Sequence, residues 1–456
     1  MSDIAPSPGA DRLAPLRPTE SLYTADFVVV DGQAKAGWGI LVDKGEILAV
    51  GPRKELDRPD VRMVAFAGRA LQPGCANAHA HSFQSLLRGL GDDLPFDRWR
   101  TESLFRVAPK LGAADVYAGA LFAFSEMLLY GITTVCDFFY LNAGGNDHAR
   151  AVVRAAHDLG IRLTLARSFY DWDAGPREFR ETPAQARDRF LELRKEFADD
   201  RRVSVIPAPH SLHAASEAMI RSAVACAAEA SIPWHMHLAE EKSQVDAAKD
   251  RYGVTPLRAL DKMGVLGERS VIVHGCWLDK GERALLAEKK GKLVVNPAAN
   301  MFLGDGTTDV IDLRKRGVTV ALGTDGGCTN SRVSIFDEMR TCALVQKLNR
   351  LDGGAITAEE VLAMGAAAGG EALGLPLGRI APGQRADFVL LDLDDLSLWP
   401  IQGLVKNVVY AQSHRAVQDV VVEGEIVVRD RQLVKVPLGQ VRDKIREATK
   451  DLGPTP

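Results

Sequence analysis

The sequence predicts an α/β protein in which a closed (β/α)8 barrel of the TIM type lies beside a small β-sandwich domain built from both chain ends. Between about residues 70 and 330, amphipathic helical stretches alternate with short runs rich in β-branched residues, and eight such runs are present. Strands separated by helices form parallel sheets, and eight is the strand number of this barrel. The alternative is a doubly wound open sheet, but no Gly-x-Gly-x-x-Gly motif follows the first run.

The eight predicted strands share a short apolar pattern and lie at Ala70–Gln72, Ile132–Asp137, Ile161–Ala166, Val203–Pro207, Ile232–Leu238, Ser270–His274, Leu293–Asn296 and Val318–Gly323. Amphipathic stretches precede the last six, at Ala151–Leu159, Arg187–Phe197, Ala218–Ala230, Pro256–Met263, Glu282–Glu288 and Asp309–Arg316. Apolar residues at helical spacing predict helices that cover the outside of such a sheet.

Near both chain ends the pattern changes to short strands without intervening helices, at Phe27–Val30, Gly39–Val42, Ile47–Val50, Phe388–Leu391, Val420–Val422 and Ile426–Val428. Turn signals stand at Asp31-Gly32, Lys44-Gly45 and Glu423-Gly424. We therefore expect a flexible tail at residues 1–20, a composite small β-domain at 21–68 and 379–456, and the barrel domain at 69–378.

Composition excludes several classes of protein. Of the 456 residues, 56 are Lys or Arg and 60 are Asp or Glu, which leaves a net charge of −4 and gives no sign of a basic face for nucleic acid or membrane surfaces. The most apolar stretch, Val116–Val135, contains Glu126, so no membrane span is expected. Residues 1–20 lack the features of a signal peptide, and the six cysteines form no Cys-x-x-Cys pair. The expected location is the cytoplasm.

Polar groups gather where the predicted barrel strands end. His79 and His81 directly follow the first strand, and side chains two residues apart on an extended segment share one face. Further groups end three other strands: His235–Glu240, Val273–Gly275 and Gly323–Gly326. A lone histidine is more often a hydrogen-bonded interior residue, and Asp325 alone also fits a turn. Because catalytic groups of this barrel come from the carboxyl ends of several strands, the four groups together predict a metal-dependent active site.

Other motifs accompany these groups: Pro73-Gly74, Gly131–Thr134, Pro209–Ser211 and Gly378–Phe388. With them, nearly the whole chain resembles the amidohydrolase superfamily. The similarity is to the aminohydrolase branch that includes guanine, adenosylhomocysteine/methylthioadenosine and formimidoylglutamate deaminases and triazine hydrolases. The resemblance implies a hydrolase that acts on a non-peptide carbon–nitrogen bond.

The resemblance also implies roles for individual residues. One divalent metal, most often zinc, with iron or manganese as alternatives, would be held by His79, His81, His237 and Asp325. Metal-bound hydroxide would attack the substrate, Asp325 and Glu240 would transfer protons, His274 would hydrogen-bond the water or the tetrahedral centre, and ammonia would leave. Binuclear relatives carry a carboxylated lysine on the fourth strand; Val203–His210 has no lysine, so one metal is expected.

The candidate substrate-binding residues are Gln84, Arg100, Tyr140, His210 and His213. Ser85–Pro95 resembles the loop of the adenosylhomocysteine and triazine group, whereas the surroundings of Gln84, Arg100 and Tyr140 resemble formimidoylglutamate deiminases. His213 stands where that subfamily has an arginine that grips a substrate carboxylate, and replacing a bidentate cation is not a conservative change.

Three functions therefore stay open. The leading one is deamination of an amidine-like group in an amino-substituted heterocycle of the purine, pterin, pyrimidine, triazine or thioadenosine type. The second is hydrolysis of an acyclic formimino amino acid, which requires Arg100 and Tyr140 to face the metal with a further cation nearby. The third is a catalytically silent scaffold, which would be expected to have lost metal-binding or proton-transfer residues. The expected partner is a small-molecule substrate, and the resemblance also implies a homo-oligomer, a dimer or larger.

Overall fold

The computed structural model describes residues 20–450 and residue 452. The predicted tail at residues 1–20 lies outside the described residues except for Glu20, which begins the first strand. The strands follow in chain order as β1 Glu20–Val30, β2 Gln33–Ala36, β3 Trp38–Asp43, β4 Glu46–Pro52, β5 Arg62–Pro73, β6 Cys75–His81, β7 Ile132–Phe139, β8 Arg162–Phe169, β9 Val203–Pro209, β10 Trp234–Leu238, β11 Ser270–His274, β12 Lys292–Val295, β13 Val320–Leu322, β14 Asp325–Gly326, β15 Phe388–Asp392, β16 Val417–Val422, β17 Glu425–Arg429 and β18 Gln432–Leu433.

The α-helices follow in the same way as α1 Arg53–Leu56, α2 Phe96–Trp99, α3 Phe105–Val107, α4 Ala113–Leu129, α5 Asp147–Leu159, α6 Pro183–Glu196, α7 Glu217–Ala230, α8 Lys242–Tyr252, α9 Pro256–Lys262, α10 Lys280–Glu288, α11 Pro297–Leu303, α12 Val310–Lys315, α13 Ile335–Arg350, α14 Ala358–Gly365, α15 Ala367–Leu373, α16 Leu404–Tyr410 and α17 Leu438–Thr449. All six predicted amphipathic stretches are helical. The apolar stretch Val116–Val135 divides into α4 and β7, and among the described residues no helix is both long and apolar enough to span a bilayer.

The strands β6 to β13 are parallel and form the predicted barrel. They are hydrogen-bonded in two groups, β6 to β9 with β14 on the outer edge of β6, and β10 to β13. Backbone hydrogen bonds join the groups at both edges: the His237 N–H donates to His210 O at 3.1 Å, and the Thr324 N–H donates to His79 O at 3.0 Å. The ring of eight strands is therefore closed, and the (β/α)8 prediction is confirmed.

One side chain reinforces the closure between β6 and β13. The Asn77 amide donates to Thr324 Oγ1 at 2.7 Å, and its carbonyl oxygen accepts the Thr324 N–H at 3.0 Å. Both residues are fully buried. Because β14 begins at the next residue, this pair of bonds fixes the position of Asp325 relative to the histidines of β6.

The prediction for the first barrel strand was wrong. Ala70–Gln72 belongs to β5, which pairs with β1 and β15 in the other sheet, and the barrel begins with β6 after Pro73-Gly74. His79 and His81 consequently lie within a barrel strand instead of following one. The error arises because β5 ends and β6 begins in equally buried apolar segments, so local sequence does not distinguish them. The other seven predicted strands coincide with β7 to β13 within a few residues.

The strands from both chain ends form one sheet in the order β18-β17-β16-β15-β5-β1-β3-β4, with β2 paired to β1. This sheet curls back on itself. Its two halves share a buried core, in which Ile40 and Ile47 of β3 and β4 lie with Phe388 and Val421 of β15 and β16. The predicted turns at Asp31-Gly32, Lys44-Gly45 and Glu423-Gly424 all have positive φ at both residues, as type I′ hairpin turns require. The domain boundaries themselves stay a prediction.

A buried ion pair joins this curled sheet to the barrel. The Arg162 guanidinium at the start of β8 donates to both carboxylate oxygens of Asp387, at 3.1 and 3.2 Å, and the two side chains are 4% and 2% exposed. Asp387 also accepts the N–H of Glu423 at 2.7 Å. The pair holds β15 and the β16–β17 turn against the amino-terminal end of the barrel.

Replacing Asp387 by Ala should destabilise the fold by about 3–5 kcal/mol, because the Arg162 guanidinium would stay buried without its partner. Urea unfolding followed by circular dichroism measures the change. Asp246→Ala is the matched control, since it removes an exposed ion pair with Lys242 that should contribute less than about 1 kcal/mol. Equal losses in both variants would contradict this role of the buried pair.

Candidate active site

Four candidate metal donors converge at the carboxyl ends of the barrel strands. His79 and His81 from β6 meet His237 from β10, and one ring nitrogen of each lies within 4.8 Å of those of the other two. The His81 and His237 Nε2 atoms are 3.3 Å apart. Asp325 Oδ1 lies 3.5 Å from His79 Nε2 and 3.3 Å from His81 Nε2. The structure thus brings together all four residues predicted to bind the metal.

The orientation of two imidazoles is set by main-chain carbonyl groups. His81 Nδ1 lies 2.6 Å from Phe138 O, and His237 Nδ1 lies 2.9 Å from His210 O. A carbonyl oxygen only accepts hydrogen bonds, so each Nδ1 carries the proton and each Nε2 keeps its lone pair. Both lone pairs are available to a cation in the centre, as in histidine ligands whose other nitrogen is hydrogen-bonded to the protein.

Backbone turns aim the site residues into the barrel. His274 and Asp325 have φ values of 73° and 59°, in the left-handed region that His and Asp enter more readily than most residues. Gly326 follows Asp325 and packs so closely on Gln84 that a Cβ there would lie 1.7 Å from Gln84 Oε1. Glycine is therefore required at position 326 to keep Gln84 beside the site.

The electrostatics of these groups favour a bound cation. Burial lowers the pKa of all three histidines, that of His81 to about 3, so their imidazoles are neutral at physiological pH. Burial opposes ionisation of Asp325, but the imidazole of His79, 3.5 Å away, and the other nearby imidazoles outweigh it and hold the pKa of Asp325 below the ordinary value. Both ring nitrogens of His79 are buried without a hydrogen-bond partner. Three neutral imidazoles and one carboxylate are a donor set that suits zinc.

Glu240 and His274 lie beside these donors. Glu240 Oε1 is 3.4 Å from His274 Nε2, and both side chains group with Asp325 within 4.8 Å. Burial and the negative charge of Asp325 raise the pKa of Glu240. The structure therefore places a protonatable carboxyl group next to the donor set, where sequence analysis expected a proton-transfer residue.

The five predicted substrate-binding residues, Gln84, Arg100, Tyr140, His210 and His213, all line one chamber together with His81, His237, Glu240, His274 and Asp325. The chamber has a volume of about 70 Å³ and continues into an outer cleft of about 400 Å³ along α8. Most of its aromatic wall was not predicted from the sequence: Phe96, Trp99, Phe105, Tyr170, Trp172 and Phe179. Tyr170 and Trp172 were recognisable, because they come just after β8 as Tyr140 and His210 come just after β7 and β9.

Arg100 has an unusual environment at the mouth of the chamber. Its guanidinium lies 5.6 Å from the ring centres of Phe96 and Trp172 and 5.9 Å from that of Phe105, and it pairs with Asp97 at 2.8 Å. Among the residues that the structure describes, it is the only arginine or lysine lining the chamber. Burial and Arg100 lower the pKa of His213 to about 4, so this imidazole does not supply a second cation.

Comparison with known proteins agrees with this geometry. A family model described as Amidohydrolase family matches residues 70–427. The chain belongs to the amidohydrolase family. It is 36% identical over 415 residues to a 5′-deoxyadenosine deaminase of Methanothermobacter thermautotrophicus, which covers 91% of this chain and 94% of the relative. It is 33% identical over 429 residues to a 5-methylthioadenosine/S-adenosylhomocysteine deaminase of Syntrophobacter fumaroxidans, covering 93% and 95%.

Solved structures of similar proteins have the same fold. An adenosine deaminase from Xanthomonas campestris with bound zinc superposes with a TM-score of 0.88 at 28% identity, over 96% of this chain and 99% of that one. A zinc complex of atrazine chlorohydrolase from Arthrobacter aurescens has a TM-score of 0.88 at 24% identity, over 94% and 99%. This member of the family is a hydrolase of non-peptide carbon–nitrogen bonds.

Replacing His237 by Ala should weaken metal binding by more than about tenfold. Mutation of a group that only hydrogen-bonds to a metal ligand already lowers metal affinity about 10- to 100-fold, and the loss of a donor atom should lower it further. The measurement is metal content per chain after dialysis, by inductively coupled plasma mass spectrometry. His157→Ala, on the surface of α5, is the control and should keep the wild-type content. Full metal content and full activity in His237→Ala would refute the assignment.

Proposed function

We propose that the protein is a metal-dependent hydrolytic deaminase that removes the exocyclic amino group of an amino-substituted heterocycle and releases ammonia. The observation that carries this proposal is the convergence of four metal donors with Glu240 and His274 at the end of an aromatic chamber. Such a chamber excludes water around a flat substrate and orients its reacting carbon towards the polar groups.

His79, His81, His237 and Asp325 would hold one divalent metal, and zinc suits this mixture of imidazole and carboxylate donors. The zinc complexes of the adenosine deaminase and the atrazine chlorohydrolase support this choice. When bound, the metal supplies Lewis acidity that lowers the pKa of water at the site.

The protein groups would transfer the protons of the reaction. Water adds to the amidine-like carbon, one proton passes through Asp325 and Glu240 to the adjacent ring nitrogen, and the exocyclic C–N bond then breaks as a further proton reaches the leaving amine. Glu240 suits this role because its raised pKa allows it to gain and lose a proton near neutral pH. Thr329 donates to Asp325 Oδ2 at 3.1 Å, which leaves Oδ1 facing the histidines. The products are the oxo heterocycle and ammonia.

We further propose an adenosine-type purine nucleoside as the substrate. The relatives named as 5′-deoxyadenosine and 5-methylthioadenosine/S-adenosylhomocysteine deaminases support a 6-aminopurine. The two connected cavities support it as well, because the chamber offers aromatic faces to a flat heterocycle and the outer cleft of about 400 Å³ leaves room for an attached sugar.

The formimino amino acid alternative has weaker support. Tyr140 and Arg100 do line the chamber, as it requires. A second cation for the substrate carboxylates is missing from the described lining of the chamber. The silent scaffold is not favoured either, since every metal-binding and proton-transfer residue named by the resemblance is present.

The predicted cytoplasmic location and homo-oligomeric state are part of this proposal. Six free thiols, five of them buried, support a reducing compartment such as the cytoplasm. The homo-oligomer and the absence of nucleic-acid binding rest on the sequence alone, as do the domain boundaries.

We expect the zinc-loaded protein to release ammonia from 5′-deoxyadenosine or 5-methylthioadenosine, to lose this activity with a chelator and to regain it when zinc is added. An enzyme-coupled ammonia assay measures it across aminopurines, pterins, cytosines and formimino amino acids. Faster release from a formimino amino acid than from any heterocycle would favour the alternative, and no release from any compound would favour the scaffold.

Replacing Glu240 by Gln should lower kcat by about 10²–10⁴ while metal content is retained, because the amide keeps the size of the side chain but cannot transfer a proton. Steady-state ammonia release and metal analysis of the same preparation are the measurements. Glu217→Gln, on the exposed face of α7, is the matched control and should leave kcat unchanged. A Glu240→Gln variant with wild-type kcat would exclude the proposed proton transfer.

A further inference from the structure

The hydrogen-bond environment of Nδ1 in His274 differs from that in His81 and His237. Its Nδ1 faces no carbonyl oxygen. Instead it lies 3.0 Å from Asn300 Nδ2 and 3.3 Å from Asn296 Nδ2, while its Nε2 is buried without a hydrogen-bond partner. The ring is fully enclosed, so solvent does not decide which nitrogen carries the proton. The neighbouring amides do.

The orientation of the Asn300 amide is fixed by a second acceptor. Asn300 Nδ2 also lies 3.0 Å from Asp305 Oδ2, so a single amide nitrogen bridges a carboxyl oxygen and the imidazole. An NH2 group has two hydrogens, and here it donates one to Asp305 Oδ2 and the other to His274 Nδ1. Asn300 therefore donates to His274 Nδ1, and the single proton of the neutral ring is on Nε2.

Asp305 is itself held firmly, which gives this orientation a rigid base. Its N–H donates to Asn300 O at 2.9 Å where α11 ends, and its carbonyl oxygen accepts the Trp277 indole N–H at 2.8 Å. His274 is fixed from the other side, because Thr308 Oγ1 donates to its carbonyl oxygen at 2.7 Å. The imidazole and its partner amide thus have defined positions before substrate binds.

We propose that Asn300, oriented by Asp305, is a positioning residue that holds His274 as the Nε2–H tautomer. In this form His274 Nε2–H is a hydrogen-bond donor that faces Glu240 Oε1 at 3.4 Å, and Nε2 has no lone pair for a metal. A neutral donor at this point stabilises an oxygen that gains negative charge as water adds to the substrate carbon. This consequence rests on the proposed function, whereas the tautomer does not.

The tautomer can be measured directly in zinc-loaded protein labelled with 15N-histidine. Long-range 1H–15N spectra distinguish Nδ1–H from Nε2–H rings, and the signal of His274 is assigned by its loss in His274→Gln. We expect Nε2–H in the wild type. An Nδ1–H signal there would overturn the proposal.

Asn300→Asp adds the kinetic test, because a carboxylate next to Nδ1 requires a proton on that nitrogen. We expect the His274 signal to change to a protonated Nδ1, kcat to fall about 100-fold, and KM and zinc content to change little. Asn300→Asp combined with Asp305→Asn removes the clash of two buried carboxylates but keeps an acceptor at Nδ1, so it should stay as slow as the single variant. Recovery of kcat in the double variant would contradict the positioning role.

The two proposals fail in different ways. If no heterocycle releases ammonia while His274 is found as Nε2–H, the proposed function is wrong and the tautomer assignment stands. If ammonia is released while Asn300→Asp has wild-type kcat and an unchanged His274 signal, the function stands and Asn300 has no positioning role.

Discussion

The active site depends on the closure of the barrel between its first and last strands. His79 and His81 lie on β6, on one side of this closure, and Asp325 lies just after β13, on the other side. The closure therefore sets the relative positions of three of the four candidate donors. A one-residue shift in pairing would turn the β6 side chains to the opposite face. The hydrogen bonds between Asn77 and Thr324 prevent such a shift, and metal ligands tolerate displacements of only about 0.2 Å. The contact between Asn77 and Thr324 therefore contributes both to closure of the barrel and to the geometry of the candidate metal site.

The site gathers many polar groups in a buried space, and it does so with little net charge. Burial keeps the imidazoles neutral and favours the protonated form of Glu240, so Asp325 is the main anion that the fold must accommodate. A divalent cation would compensate that anion and give a partner to His79 Nε2, the ring nitrogen that faces Asp325. Because such a site forms only in the folded chain, part of the metal-binding free energy would stabilise the fold.

The site residues could be predicted from the sequence because their signals are local. Features that depend on residues far apart in the chain could not. The spacing of His79 and His81 indicates a shared face, and the groups at Glu240, His274 and Asp325 mark strand ends. Assignment of Ala70–Gln72 failed because its sheet is decided by β15, far along the chain. The part played by Asn300 was likewise hidden, since it depends on α11 lying over the end of β11 and on the orientation of one amide.

The curled sheet has a consequence for the order in which the chain is made. β5 leaves the ribosome early, but its partner strand β15 and the strands beyond it come from the last part of the chain. Until those residues are synthesised, β5 has an unpaired edge and Arg162 lacks Asp387. Exposed strand edges are sites where chains associate wrongly. The nascent protein therefore has a vulnerable interval that ends only with its carboxyl-terminal strands, so C-terminal truncation threatens solubility although the catalytic groups lie elsewhere.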